Sequence, residues 1–544
     1  MSEKKLLKTV YDYFFENREI IFLENFKEDK LDKYDLLEYT SRAYHILKNL
    51  DKKEEKFIIQ INNNKTFMAT VLALFKLEIV PMIVPICKNE AEFNRLVEIS
   101  SKENSKIISD NEGFEYIDFF NKENINLSIF NIDDDKYFNP NFDIKDYIDN
   151  LKPLKKLTDD FVVLYSSGST SMPKGIRISE YNILCLIEDL GDKFNIDEND
   201  VFLNWMPLEH AVGLNLFTLL PIGRKSKIIH FKSEEFVQDP SIWFEYMNLY
   251  KVSISCGPNF SYKMVISLDT KKNWDLSNLK LILNCGEPIS KELVDKFEDF
   301  IKKFNVSKKI TVPAYGLSET TGVIVLNDRI ENLNFDKSKL KSLIDLKVED
   351  LLLTIDDIVC QGQILKNHDM RIVDEHENEV DESTIGYVQL SGRCICNGYT
   401  NKDNKAFFGK WLETGDIGFI VDKNLYIVGR QKDMVFRAGK NIYLRDIEKY
   451  IEKKFNLKSA ACGINISNKN ELIICVFISQ EEIDNLQIDI DKEDIIFEIR
   501  KSLGILINDL ILMDKLLFTK SGKVSKGKLM KYYLKLKEID YELQ

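Results

Sequence analysis

Residues 165–175 read YSSGSTSMPKG. Ser166, Ser167, Ser169 and Thr170 supply hydroxyl donors, Gly168 opens the backbone, and Lys174 adds a cation on a long stem. Small residues let backbone N–H groups approach an anion, so this combination suits a polyphosphate. A Walker loop would need glycine directly before the lysine and Ser or Thr directly after it. Pro173 precedes Lys174 and Gly175 follows it, which excludes that class. The remaining alternative is a flexible polar loop that holds no ligand.

Other stretches repeat the pattern of a strand end, a glycine and a reactive side chain. PAYGLSETTG (313–322) brings Ala314, Tyr315, Gly316, Ser318 and Glu319 together after an apolar run. NCGEPIS (284–290) does the same with Gly286, Glu287 and Pro288. LETGDIGFI holds Asp416 in what reads as a tight Thr-Gly-Asp turn, GRQKD carries Arg430 and Lys432, and TKSGKVSKGKL puts Lys523 between glycines. Each has an ordinary reading when taken singly. Lys523 lies among Lys515, Lys520, Lys526 and Lys528, as on a solvated surface. Glu319 could satisfy helix N-terminal donors, Tyr315 could be a core aromatic, and Asp416 could stabilise its own turn.

These loops need elements to hold them. FVVLY before the first loop reads as a buried strand, and ISEYNILCLIEDLG after it has helical spacing, so the loop is expected to join a strand to a helix. From about residue 55 to 330, strands such as KFIIQI, IVPMIVP and LKLILNCG alternate with amphipathic helices. One is EPISKELVDKFEDFIKKF, with Ile289, Leu293, Phe297, Ile301 and Phe304 on one face. Such alternation predicts parallel sheets covered by helices. Between 355 and 430 the pattern changes to short strands with turns (MRIVDEHENEV, GYVQLSG, LYIVGR), a small β subdomain. After Arg430 come a helix (LRDIEKYIEKKF), two strands (AACGINI, ELIICVFIS), another helix and a lysine-rich tail. The expected fold is therefore α/β, with a large N-terminal domain over 1–430 and a smaller α+β domain over 431–544.

Composition narrows the class. The chain has 544 residues, 44% of them apolar and 30% charged, as in a globular protein. A net charge of -13 argues against nonspecific nucleic-acid binding and anionic membrane surfaces. Nine cysteines lack CxxC spacing, Cys394 and Cys396 alternate as on a strand, and five histidines are well separated, so no metal-site spacing is visible. The N-terminus has no signal-peptide layout, and Lys76, Glu78, Pro81 and Pro85 interrupt the most apolar stretch, which reads as a buried helix and strand instead of a membrane span. Reduced thiols in the cytoplasm are the expectation.

The order and spacing of these motifs resemble the adenylate-forming superfamily, which includes acyl-CoA ligases, fatty-acyl-AMP ligases and assembly-line adenylation domains. The resemblance runs from about residue 10 to 535. It implies that a carboxylate attacks the α-phosphate of ATP to give acyl-AMP and pyrophosphate, and that a thiol then takes the acyl group and releases AMP. It further implies that the C-terminal domain is mobile about a hinge at Lys432. The loop at 166–170 and Lys174 would cradle the β- and γ-phosphates, with Thr170 the hydroxyl contact. Glu319 would hold Mg²⁺, a hard cation that needs oxygen ligands. Ser318 would donate to the α-phosphate. Tyr315 would stack on adenine, with Ala314 and Gly316 beside it and Gly286, Glu287 and Pro288 along the other side. Asp416 and Arg430 would bind the ribose, and Lys523 would bridge the acid and the α-phosphate.

WMPLEHAVG (205–213) has no FDxS pattern and no visible partner for an ammonium, which favours a simple fatty or other apolar carboxylic acid. It resembles loading ligases of polyketide and peptide assembly lines, while SCGPNFSYKMV and GRQKDMVFRAGKNIY resemble fatty-acyl-AMP ligases. The implied acceptor is a holo acyl- or peptidyl-carrier protein, with CoA the alternative. His210 would lie between the acyl and thiol channels, though a hydrogen-bonded core histidine is an equal reading. A weakly catalytic nucleotide-binding scaffold is the alternative from another class. Two departures stand out: Ser171 replaces the usual glycine of the phosphate loop, and QGQILKNHDMRIVD lacks the usual Pro and Gly.

Overall fold

The computed structural model describes residues 20–24, 27–31, 33–48, 56–122, 125–133, 159–165, 174–268, 272–328, 339–342, 358–401, 405–437, 440–466, 471–486, 491–518 and 524–537. The phosphate-loop residues Ser166, Ser167, Gly168, Ser169 and Thr170, with Ser171, lie outside this set, as does Lys523.

Two helix-covered sheets form the large part of the molecule. The first runs in the order Ile129–Asn131, Ser105–Ser109, Lys56–Gln60, Pro81–Ile83, Asp160–Tyr165 and Gly175–Ser179. All neighbours are parallel except the last pair. The second has a parallel centre built from Ile20–Glu24, Lys227–His230, Val201–Asn204, Ile254–Cys256, Leu281–Asn284 and Thr311–Leu317. Parallel strands need crossover connections, and the alternating apolar and amphipathic segments supply them. The helix Asn64–Lys76 starts on an Asn63 cap and is buried from Phe67 to Phe75. Burial on all sides marks a helix enclosed by its neighbours, not one lying on a surface. The helix Lys291–Ile301 buries Val294, Phe297 and Ile301 against an aromatic core with Trp243, Phe244 and Tyr262. Leu293 is only partly buried, so Val294 takes the place expected for it.

Between 358 and 430 the chain forms the expected antiparallel strands, among them His368–Val373, Thr384–Gly392, Trp411–Val421 and Asn424–Arg430. They are joined to the second sheet through Cys360–Ile364 and Gly322–Leu326, because Thr311–Leu317 is parallel to one neighbour and antiparallel to the other. The chain ends in a smaller α+β part. Its sheet has the order Ser459–Ile466, Glu471–Ser479, Asp509–Met513, covered by helices that include Leu444–Phe455 and Lys492–Leu503. Two apolar clusters in this part draw only on residues of the C-terminal stretch.

Three expectations are corrected. The phosphate loop joins two antiparallel strands, with Tyr165 opposite Gly175, and the helix Glu180–Lys193 begins only after the second strand. GIRIS is short and β-branched, and it pairs before a Ser179–Asn182 capping box starts the helix. Cys394 and Cys396 lie in the turn after Thr384–Gly392, not on a strand. The lysine-rich tail contains a helix, Lys526–Leu536, whose Leu529, Tyr533 and Leu534 are buried.

Candidate active site

Asp416 is the most enclosed of the described candidate polar residues, at 3% exposure. It lies within the strand Trp411–Val421, not in a free turn. Gly415 takes φ +71, and the pairing skips between Tyr387 and Gln389 of the neighbouring strand, so residues 414–416 bulge out of register. Thr414 ties the bulge down by donating to the Val388 carbonyl at 2.9 Å and accepting the Asp416 N–H at 3.1 Å. The Tyr315 hydroxyl donates to Asp416 Oδ2 at 2.6 Å, and Arg430 Nε meets Oδ1 at 2.8 Å. Arg430 reaches it because the two residues are direct cross-strand partners. Burial and the Asp416 charge push the Tyr315 phenol well above its usual range, so it stays a hydrogen-bond donor. A carboxylate has about four lone-pair positions. Tyr315 and Arg430 each take one of them.

Glu319 sits in a single 3-10 turn, Ser318–Thr320. Thr320 builds the turn: its hydroxyl accepts the Leu317 N–H at 2.8 Å and donates to the Gly322 carbonyl at 2.6 Å. The next residue, Thr321, has φ +61, rare for a β-branched residue. Its strain is held by two contacts: Asn215 Nδ2 donates to the Thr321 carbonyl at 2.6 Å, and Thr321 Oγ1 donates to the Cys394 carbonyl at 2.7 Å. Asn215 comes from a π-helix, Val212–Leu219, a form often found at functional sites. Gly316 is forced by packing, since a Cβ there would lie 2.1 Å from the Gly322 carbonyl oxygen.

Glu319 Oε1 accepts the Tyr399 hydroxyl at 2.9 Å, and Lys174 Nζ lies 4.9 Å from the centre of the Tyr399 ring. Glu319 Oε2 has no hydrogen bond among the described residues. A carboxylate with one oxygen so placed suits a hard divalent cation such as Mg²⁺. Gly286 turns the chain at φ +86, with open space beside it. Glu287 accepts the Phe260 N–H at 3.1 Å and the Pro288 carbonyl accepts from Asn259, so this loop is stapled to the start of the helix Asn259–Ile266. Ala314 is buried beside Tyr315, and Ser318 is partly exposed at the head of the Glu319 turn. His210 is half-buried in a turn where its N–H donates to the Pro207 carbonyl at 3.1 Å. Lys432 lies in the 3-10 turn Gln431–Asp433.

Tyr399, Asn215 and His230 were not legible as site residues. Glu319 and Lys174, which meet Tyr399, are 80 and more residues away in sequence, and only its position after a glycine hinted at a turn. His230 is fully buried and accepts from Asn204 Nδ2 at 3.1 Å, with Thr218 Oγ1 3.5 Å from Nε2. Burial lowers its pKa to about 3, so the ring is neutral. Asp189, His368 and Cys394 also come together, although their sequence spacing gave no sign of it. Asp189 is taken by Arg393 through two hydrogen bonds, one of them 2.9 Å. His368 Nε2 accepts the Cys394 N–H at 3.3 Å, and burial keeps the Cys394 thiol protonated. This cluster has the chemistry of a buried ion pair.

Known proteins match this architecture. A structure of McyG A-PCP complexed with phenylalanyl-adenylate superposes with a TM-score of 0.80 over 98% of this chain and 97% of that one, at 23% identity. A fatty acyl-adenylate ligase structure from work on the E. coli and L. pneumophila enzymes gives 0.80 over 98% and 99%, at 20% identity. At such identities the likeness concerns the fold. In sequence, the long-chain-fatty-acid–AMP ligase FadD28 of Mycobacterium tuberculosis is 26% identical over 404 residues, 68% of this chain and 69% of that protein. The M. tuberculosis protein Rv1013 is 27% identical over 318 residues, so the chain spans only 58% of that relative's length. The AMP-binding enzyme family matches residues 35–400, two-thirds of the sequence, including Tyr315, Glu319 and Tyr399 of the site just described. The chain belongs to the AMP-binding enzyme family.

Proposed function

We propose that this protein is an ATP- and Mg²⁺-dependent ligase that activates a carboxylic acid, fatty or otherwise apolar, as its acyl-adenylate, and transfers the acyl group to the phosphopantetheine thiol of a carrier protein. The observation that carries the reading is the convergence of separate segments. Tyr315, Asp416 and Arg430 form one hydrogen-bonded cluster, and Glu319 shares Tyr399 with Lys174.

In this reading Asp416 accepts the ribose hydroxyls, and Arg430 holds its carboxylate in place. Tyr315, fixed by its hydroxyl, offers its ring to adenine beside Ala314, Gly316 and the Gly286-Glu287-Pro288 loop. Ser166, Ser167, Gly168, Ser169, Thr170 and Lys174 take the terminal phosphates, Ser318 donates to the α-phosphate, and Glu319 holds the Mg²⁺. When bound, Mg²⁺ supplies neutralisation of phosphate charge. The acid's carboxylate oxygen attacks the α-phosphorus while the bond to the bridging oxygen breaks and pyrophosphate leaves. Lys523 stabilises the charge that builds there. In the second step a thiol, losing its proton, attacks the acyl carbon and AMP leaves. His210 lines that approach. We place the domain boundary at 430/431 and the hinge at Lys432, so that the C-terminal part moves between the two steps.

The carrier acceptor is supported by WMPLEHAVG and GPNFSYKMV; the relatives are named for both chemistries, some as AMP ligases and some as fatty-acid–CoA ligases. The nine cysteines are all buried and free, in keeping with a reducing cytoplasm, and among the described residues no helix is long and apolar enough to cross a membrane.

ATP–pyrophosphate exchange over a panel of acids tests the reading, with Lys523→Ala as its control. Exchange with apolar acids is expected, and the variant should lose on the order of a hundredfold in exchange while still consuming supplied acyl-AMP. Absence of exchange with every acid would indicate a nucleotide-binding scaffold. Competition between holo-carrier and CoA for one acid tests the acceptor: predominant acyl-CoA would replace that part of the proposal and leave the adenylation intact.

A further inference from the structure

Residues 396–400 cross the site between two segments far apart in sequence. On one side the Cys396 N–H donates to the Glu319 carbonyl at 2.8 Å. On the other, the strand that leaves the phosphate loop is pinned by Arg177 N–H to the Gly398 carbonyl at 2.9 Å, Asn397 N–H to the Arg177 carbonyl at 2.7 Å, and Thr400 N–H to the Gly175 carbonyl at 2.8 Å. Tyr399 stands in the middle of this strap, 5% exposed and packed edge-on against Phe407. Its hydroxyl holds Glu319 Oε1 at 2.9 Å, and its ring lies 4.9 Å from Lys174 Nζ.

We propose that Tyr399 is a positioning residue that keeps Lys174 and Glu319 apart and oriented, so that the cation remains available to phosphate and the carboxylate to the metal. A lysine and a glutamate this close to one aromatic ring attract each other strongly away from bulk water. A direct pair between them would occupy the oxygen that a metal needs and the ammonium that phosphate needs. Tyrosine prevents this with two different surfaces. Its ring face attracts a cation, and its hydroxyl, donating to an anion, holds the carboxylate by one oxygen only. Phenylalanine would keep the first surface and lose the second, and leucine would lose both. The inference rests on Glu319 as the metal ligand in the function proposed above.

The test is Mn²⁺ titration of the enzyme–ATP complex, with free Mn²⁺ read by electron paramagnetic resonance, beside AMP binding measured calorimetrically in metal-free buffer. Tyr399→Phe retains the Phe407 contact and should fold as the wild type does. It is expected to weaken Mn²⁺ binding by about ten- to a hundredfold, the worth of one hydrogen bond to a charged group, and to leave metal-free AMP affinity within about twofold. Tyr399→Leu should weaken Mn²⁺ binding further and also raise the KM for pyrophosphate in exchange. If Glu319→Gln weakens Mn²⁺ binding but Tyr399→Phe does not, the positioning role is overturned and the metal reading stands. Mn²⁺ binding unchanged in Glu319→Gln overturns the metal reading and this inference with it. Equal losses of Mn²⁺ and AMP affinity in Tyr399→Phe would mark a general packing role and likewise reject the proposal.

Discussion

At the scale of single residues the site is organised around carboxylates held in advance by neutral and cationic donors. Asp416 shows how this works. Taken out of water, a lone carboxylate would be costly, and Tyr315 and Arg430 offset that cost. The arrangement yields a prediction. Asp416→Ala removes two charge-assisted hydrogen bonds and the proposed ribose acceptor together. AMP affinity should fall by about tenfold or more, given roughly 1.5–3 kcal/mol for a hydrogen bond to a charged group. Tyr315→Phe, which leaves the carboxylate and Arg430 in place, should cost less. Calorimetric titration of both variants checks the order, and wild-type AMP binding by Asp416→Ala would remove Asp416 from the nucleotide site.

At the scale of elements, what matters is how strand ends and helices are locked to each other beneath the loops. His230 closes the strand Lys227–His230, and its ring joins Asn204, at the end of Val201–Asn204, to Thr218 in the π-helix. Asn204 also clamps Met206 with both ends of its amide, at 3.0 Å each, which sets the start of the turn that carries His210. Because Asn204 donates to Nδ1, the ring proton must sit on Nε2, and a charged ring would face a donor. The pH dependence follows in sign. The folded-state pKa of about 3 lies below the usual histidine value of 6.5, so below pH 6.5 the unfolded chain binds the extra proton. Stability from this residue is complete above pH 6.5 and is lost as pH falls towards 3, by about 1.4 kcal/mol per pH unit. Between pH 7 and 5, wild type should therefore lose about 2 kcal/mol more than His230→Gln. Urea midpoints at the two pH values measure this, and parallel acid slopes would show that the ring does not titrate in this way.

At the scale of the whole molecule, the junction at 430–433 separates two anchored ends. Upstream, Arg430 is held by Asp416. Downstream, Asp433 pairs with Lys526 at 3.6 Å, and Lys526 pairs with Glu448 at 3.0 Å, which ties the short turn to two helices of the C-terminal part. Lys432 lies between the anchors. Proline there would fix φ near −65°, and if the C-terminal part rotates about this residue, the second step should suffer more than the first. Lys432→Pro is thus expected to keep pyrophosphate exchange within a few-fold of wild type and to slow thioester formation by at least tenfold. Stopped assays of each half-reaction distinguish this from an ordinary linker position, for which both rates would change little.

The alternation of buried strands and amphipathic helices, the change of pattern near 355 and the α+β character after 430 were all legible in the residues, because each depends on local periodicity. So were Tyr315, Asp416, Arg430, Glu319 and Lys174 as candidates, because glycines and strand ends mark the loops that carry them. The sequence also held Gly415 in plain view, yet read as a turn where a bulge inside one long strand was formed. Local spacing cannot distinguish the two until a neighbouring strand pairs across the gap. GIRIS after the phosphate loop paired back as a strand for the same reason. The tail helix Lys526–Leu536 was hidden by its lysines, and only the sheet beneath it makes a buried face of Leu529, Tyr533 and Leu534. Tyr399 and His230 lay beyond reach altogether. Each owes its role to partners brought together by sheet order, and one residue's type says nothing about which distant carboxylate, lysine or amide will lie against it.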